Sequence, residues 1–297
     1  MEYSDSELNG NASDSYADLF PSANISYRFS ELLEFYGAYT RRINRPTIKM
    51  LNPYTDEYAD ITNLHQGNPD LLPEYVNSVE VGNRWSFKKW NGSISLYHRN
   101  IDQAITRVKS ATNDSALVVT FLNLNSALLW GGELAINLNP FKFWSINTSA
   151  NLFKTHMLGE YGLNEIDRQK WAWTANISNQ FKLPWQISLQ VSGFYRSKLP
   201  SAMGLYLPRY QVDFALGKKL WNEKGMLIFK ISDVFNSYRY GLDLEALDDN
   251  GYAYSQTNRR KNESQYFILS FTFNIDGKAV RKEAKKEQFY LDSYDKY

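Results

Sequence analysis

No cysteine occurs among the 297 residues, which excludes disulfides, thiolate metal sites and a cysteine nucleophile. The three histidines, His65, His98 and His156, stand apart, with no i, i+4 pair and no thiolate to complete a zinc site, so no metal or other cofactor is expected. Nucleophile-elbow, phosphate-loop and dinucleotide-fingerprint motifs are missing. The chain is therefore not expected to be an enzyme, and the catalytic alternative is a Ser-His-acid cluster around His98 or His156. An excess of one charge is also lacking, 33 basic residues facing 32 acidic ones, so no global field points to nucleic acid. No apolar run approaches the roughly 18 residues of a membrane-spanning helix, which excludes a helical membrane protein. The first twenty residues have neither the basic nor the apolar region of a secretory signal, leaving a cytoplasmic chain or one whose beginning is missing.

Aromatic rings are abundant instead: 21 Tyr, 17 Phe and 8 Trp make up 15 % of the residues. They sit in a chain that is polar on average, with mean hydropathy −0.49. The dominant pattern is alternation with period two. In "FWSINTSANL", Trp144, Ile146, Thr148, Ala150 and Leu152 share one face, and Ser145, Asn147, Ser149 and Asn151 the other. "GELAINLNP" and "WQISLQVSGFYR" repeat the arrangement, giving a polar row that includes Glu133, Asn137, Gln186 and Gln190. Alternating segments fall near 19–30, 31–44, 75–88, 90–107, 117–139, 142–155, 168–183, 185–199, 203–220, 225–238 and 263–275, about eleven strands. Many match or exceed the roughly 9–11 residues with which a tilted strand crosses a bilayer.

Connections alternate between tight turns, such as "KKWNG", "NPFK" and "WNEKG", and long polar loops near 44–75, 108–116, 155–168, 198–204 and 239–262. Short turns on one side and long loops on the other are expected of outer-membrane barrels. Rings gather beside the tight turns, at Phe29, Trp85, Phe87, Trp90, Phe141, Phe143, Trp144, Phe181, Trp185, Trp221, Phe271 and Phe273, as an interfacial girdle requires. The fold class read from this is all-β, a transmembrane antiparallel β-barrel. Single-chain bacterial barrels have an even strand number, so an odd set is not expected to close alone. About eleven is half of the 22 strands of plugged outer-membrane transporters.

"YTRRINRP" followed by "GNPDLLPEYVNSVEVG" resembles the outer-membrane β-barrel family of TonB-dependent receptors of Bacteroidetes-type bacteria. Tyr39, Arg41, Arg42, Arg45 and Pro46 match the Tyr-Ser/Thr-Arg-Arg segment with its Arg-Pro. Gly67, Asn68, Pro69, Leu71, Pro73 and Glu74 match the element that introduces the next strand. Asp233, Val234, Phe235 and Asn236 match a third element near the penultimate strand. The resemblance covers residues 18–276 and implies the C-terminal part of a receptor barrel in the outer membrane. It implies residues 1–17 as an extracellular loop or truncated start and 277–297 as a charged periplasmic tail. It also implies, as partners, outer-membrane lipid, an N-terminal half-barrel and plug missing here, the TonB complex acting through that plug, and a small or oligomeric ligand whose identity stays open.

Two readings attach to the first motif. In one, Glu74 accepts hydrogen bonds from Arg41 or Arg42 and staples neighbouring strands across the loop. In the other, Arg41, Arg42 and Arg45 face the lumen and meet an anionic ligand or the plug. Asp243, Asp248, Asp249 and Tyr252, in a long acidic loop, are candidate extracellular ligand contacts. "DDNG" within it does not fill the positions of a calcium loop. The alternative function is a soluble all-β carbohydrate- or protein-binding module, which requires the apolar strand faces to be buried together.

Overall fold

The alternating segments pair in chain order into one curved antiparallel sheet. The computed structural model describes residues 18–54, 63–111, 117–161, 163–247 and 253–275. Its strands are β1 (Ser22–Arg28), β2 (Leu33–Asn44), β3 (Asn63–His65), β4 (Glu74–Ser86), β5 (Trp90–Ala111), β6 (Leu117–Phe141), β7 (Trp144–Tyr161) and β8 (Asn164–Leu183). They continue with β9 (Ile187–Arg196), β10 (Leu199–Ser201), β11 (Gly204–Tyr206), β12 (Arg209–Leu220), β13 (Gly225–Ser232), β14 (Tyr240–Leu247), β15 (Ala253–Arg260) and β16 (Tyr266–Phe273). One short helix, α1 (Ile48–Leu51), lies between β2 and β3.

The wall runs β1-β2-β4-β5-β6-β7-β8-β9-β12-β13-β16, the eleven strands expected from the alternation, with β3 pairing parallel to β6. Among the described residues it does not close: β1 pairs only with β2 and β16 only with β13, and every residue of both strands is exposed. The structure is thus a partial barrel, since open edges in lipid leave backbone groups unsatisfied.

Register sorts the side chains into two faces. One row carries Val81, Leu96, Gly132, Leu152 and Trp173; the opposite face carries Asn137, Asn147, Ser178 and Ser192. The apolar face is outward and bare: Leu96 is 63 % exposed and Leu269 71 %. This contradicts the soluble-module alternative, in which such faces would be buried against each other.

Two aromatic belts bound the outward face. At the tight turns, Phe87 stacks on Trp90 at 4.7 Å and Trp144 on Phe181 at 5.7 Å, while Trp221 meets Phe271 and Phe273 edge-on. A second belt, unanticipated from sequence, has Tyr39, His98, Trp130, Trp171, Trp173 and Tyr195. On β8 the belts lie eight to ten residues apart, roughly 20–25 Å along the normal for a strand tilted about 40°, the height of an outer-membrane apolar band.

The structure departs from the sequence reading at the long-loop end. The segment expected as a loop near 155–168 is mostly strand, as are residues 108–111 of the one near 108–116, whose 112–116 lie outside the described residues, because β5, β6, β7 and β8 continue far above the upper belt. The stretches near 203–208 and 233–238 are not wall strand: β11 turns away into a hairpin, and β13 stops at Ser232. Trp185 and Gln186 leave the strand for the turn, with φ of 57° and 58°. Two consecutive left-handed residues give a hairpin the twist of its strands, so Gln186 cannot belong to the polar row.

Above the belts, β10, β11, β14 and β15 form a separate four-stranded sheet. Ala202, Met203 and Leu244 from it are buried with Ala104, Val108, Leu124, Ala127 and Ile166 of the extended wall. Met50 and Leu71 pack with Phe121 and Ile105, which alternate with Ala104, Val108 and Leu124 along β5 and β6. The tall β5–β6 hairpin is thereby covered on both faces, and the only compact apolar cores among the described residues lie at this mouth.

Candidate functional site

The strand-entry motif staples the mouth, with partners other than those expected. β2 and β4 pair from Leu33↔Trp85 to Asn44↔Glu74, so Glu74 opens β4 opposite the last residue of β2. Its carboxylate accepts from Asn44 Nδ2 at 2.5 Å and from the Ile105 backbone N–H at 2.6 Å, joining β2, β4 and β5. Arg41 and Arg42 face Asn77 and Val76 across the ladder. That register sets Arg42 diagonally to Glu74, within reach of a long side chain, yet neither arginine makes a hydrogen bond or ion pair with Glu74 among the described residues. Arg41 lies over the Tyr75 ring at 5.4 Å. It continues the outward row of Tyr39, whereas Arg42 is in the opposite row, so the two cannot both face the lumen. Arg45 lies beyond β2 and is exposed.

The rest of the motif folds the long connection. Gly67 N–H donates to Asn52 O at 2.7 Å, and a Cβ on Gly67 would stand 2.5 Å from that same oxygen, so only glycine permits the approach. Asn68 donates from its backbone N–H to Met50 O and from Nδ2 to Phe121 O, and its Oδ1 accepts from Asp70 N–H. Pro69 and Pro73, which bring no N–H, flank the buried Leu71. Asn123 then pairs with both backbone groups of Leu72 at 2.9 Å.

The third motif forms a buried knot where β12, β13 and the start of β16 meet. Asp233 is fully buried and left-handed, φ 48°. Its N–H donates to Asp213 Oδ1 at 2.8 Å. Its carboxylate accepts from Ser237 N–H and Oγ–H, from Tyr238 N–H and from Ser264 Oγ–H. Burial by itself raises the carboxyl pKa; the hydrogen bonds from Ser264, Ser237 and Tyr238 outweigh it and hold the group below its ordinary value. Phe235 is 68 % exposed, and Asn236, φ 50°, closes the turn back to Asp233 O.

Of the acidic-loop candidates, Asp243 belongs to β14, opposite Leu205 and Thr257, rather than to a loop. Asp248, Asp249 and Tyr252 lie outside the described residues, as do 1–17 and the charged tail. Sequence reasoning missed Arg196 and Arg209. They face each other across β9 and β12 on the polar row, 7 % and 6 % exposed, with Phe194, Tyr206 and Tyr238 rings within 6 Å. No local signal marks them, because each ends an ordinary alternating strand.

Below the mouth, the concave polar face holds a trough of about 480 Å³ lined by Asn137, Asn147, Asn176, Gln190, Gln211 and Asp213. Side-chain amide bonds tie parts of it together, from Asn137 across to Asn91 and from Gln211 along β12 to Asp213. The histidines weighed for catalysis are apart: His98 stacks on Trp130 at 3.8 Å on the outward face, and His156 pairs with the exposed Asp167 at 2.7 Å. Among the described residues no three His, Cys, Asp or Glu side chains gather where a metal ion would bind.

A bare apolar exterior between aromatic belts, a polar concave face and a built-up mouth define the wall of an outer-membrane β-barrel. The chain belongs to the outer membrane protein beta-barrel family, which matches residues 1–273. Its fold is similar to the siderophore receptor PirA from Pseudomonas aeruginosa, at TM-score 0.55 and 16 % identity over 86 % of this chain and 41 % of that one. It is also similar to the ferric-catecholate import receptor Fiu from K12 E. coli, at 0.51 and 15 % over 84 % and 34 %. The P. aeruginosa ferric enterobactin receptor PfeA, as its G324V mutant, matches at 0.52 and 16 % over 85 % and 40 %. The chain thus spans about two fifths of the receptors it matches. Its place is the outer membrane.

Proposed function

We propose that this chain forms barrel wall and extracellular mouth of a TonB-dependent receptor that takes up a scarce ligand across the outer membrane. Its role is transport rather than catalysis. The observation that carries the reading is the eleven-strand open wall, whose polar face runs beneath a mouth built from long strand extensions and hairpins. Two edges that have no partner among the described residues require further strands to close the pore, and the polar trough suits a plug that closes it. A TonB complex then acts through that plug, and this chain supplies what surrounds it. Ferric siderophores are the first ligand class to test, because the similar receptors are named for them.

The test is uptake by cells that carry or lack the gene encoding this chain, supplied with radiolabelled ferric siderophores, with and without a protonophore. Gene-dependent uptake that collapses with the proton gradient is the expected result. Gene-dependent entry that persists without the gradient would refute energised transport, leaving a passive pore.

A further inference from the structure

The outward face carries one charge at the wrong depth for a purely apolar band. From the row of Tyr39 down to the tight turns, the outward residues of the described wall are apolar, aromatic, small or uncharged, with two lysines as exceptions. Lys218 sits at the turn end and donates to Trp185 O. Lys154 sits at the upper belt, paired across the ladder with Trp130 on one side and Trp171 on the other. It makes no hydrogen bond or ion pair among the described residues.

Directly below Lys154 the surface is hollow. A groove of about 690 Å³ runs down the outward face between Leu96 and Leu152, under the rings of Trp130, Trp171 and His98. Gly132 forms its floor, and a Cβ there would already stand 3.1 Å from Leu96 Cδ2. Trp130 and Trp171, 55 % and 59 % exposed, frame the opening. A cation over an apolar slot at headgroup depth is complementary to a lipid with an acyl chain and a negative head.

We propose that this groove is a binding site for a phosphate-bearing acylated lipid of the outer leaflet, with Lys154 as the phosphate contact and Gly132 as the acyl-chain floor. The proposal does not depend on the transported ligand or on TonB. Lipid tails are as apolar as the groove, so the chain contributes fit and the lysine contributes selectivity. One lysine near a charged headgroup layer is worth about 1 kcal/mol, or about fivefold in occupancy.

The experiment takes the protein from its own outer membrane into mild detergent and quantifies retained phosphorylated lipid by native mass spectrometry. It then exchanges the protein into phosphatidylcholine discs doped with a diphosphoryl glycolipid or with its dephosphorylated form. Lys154→Ala is expected to lower retention of the phosphorylated lipid about fivefold. Gly132→Leu should displace it by filling the groove, and Lys170→Ala, on the opposite face beside Thr155, should leave it unchanged. Heat-modifiability on gels identifies folded barrel in each variant, and Lys154→Ala keeps the test decisive if Gly132→Leu does not fold. Equal retention by Lys154→Ala would overturn the proposal. So would equal retention of the dephosphorylated lipid, or displacement by inorganic phosphate, which would mark a free-anion site.

Discussion

Replacing Asp233 with alanine removes the acceptor of four hydrogen bonds at a fully buried position where three strands converge. The Ser237 and Ser264 hydroxyls can rotate toward other acceptors, but the backbone N–H groups of Ser237 and Tyr238 are fixed and left without partners. Each orphaned donor costs about 1–3 kcal/mol. The left-handed backbone adds strain, since alanine tolerates φ near 48° less well than Asp or Asn. Together these give about 3–5 kcal/mol for Asp233→Ala. Asp233→Asn keeps one oxygen and the backbone preference, and should lose about 1–2 kcal/mol. Urea unfolding from lipid vesicles, followed by tryptophan fluorescence, measures both. The reasoning is refuted if Asp233→Ala lies within about 0.5 kcal/mol of the parent, the range of substitutions that touch nothing.

The same carboxylate sets a pH dependence: its folded pKa is depressed, so its stabilisation is complete above the unfolded value of about 3.9 and is lost as pH falls through the folded one. Acid titration of stability should show this loss in the parent and not in Asp233→Asn. Ile177→Arg, on the outward face midway between the belts, should destabilise the inserted barrel by about 2–4 kcal/mol. Asn176→Arg, one residue away on the concave face, should change it far less, and comparable losses would overturn the assignment of faces. Glu74→Ala should leave the Ile105 N–H and Asn44 amide unpartnered and cost about 1–3 kcal/mol, measured by the same unfolding assay. Arg41→Ala and Arg42→Ala should leave the Glu74 staple unaffected; if either matched Glu74→Ala, the staple would run through the arginine after all. Gly67→Ala should open the connection between β2 and β4, read as faster proteolysis there, because its Cβ would collide with backbone oxygens rather than with a flexible side chain.

Local pattern carried the wall. Pleating sends alternate side chains to opposite faces whatever their partners, so the eleven wall strands, the apolar exterior, the polar concave face and the turn-side girdle could all be read from spacing. Motifs added what spacing could not: "GNPDLLPE" and "SDVFN" marked the places where the chain leaves regular structure. Their roles stayed hidden, because they depend on residues distant in sequence. Glu74 reaches the backbone of Ile105, 31 residues away, and Asp233 reaches Ser264, also 31 away. The hairpins above the mouth escaped for the same reason. Short segments beside polar stretches, such as Leu199–Ser201 and Tyr240–Leu247, look like loop until Met203 and Leu244 find Val108 and Leu124 on the far-extended wall. Sequence determined which side of each strand is apolar, since that is fixed by the pleat of the strand itself. Only the tertiary structure decided which segments rise above the membrane and what holds them there, because burial at the mouth is a property of surfaces that meet and not of either surface alone.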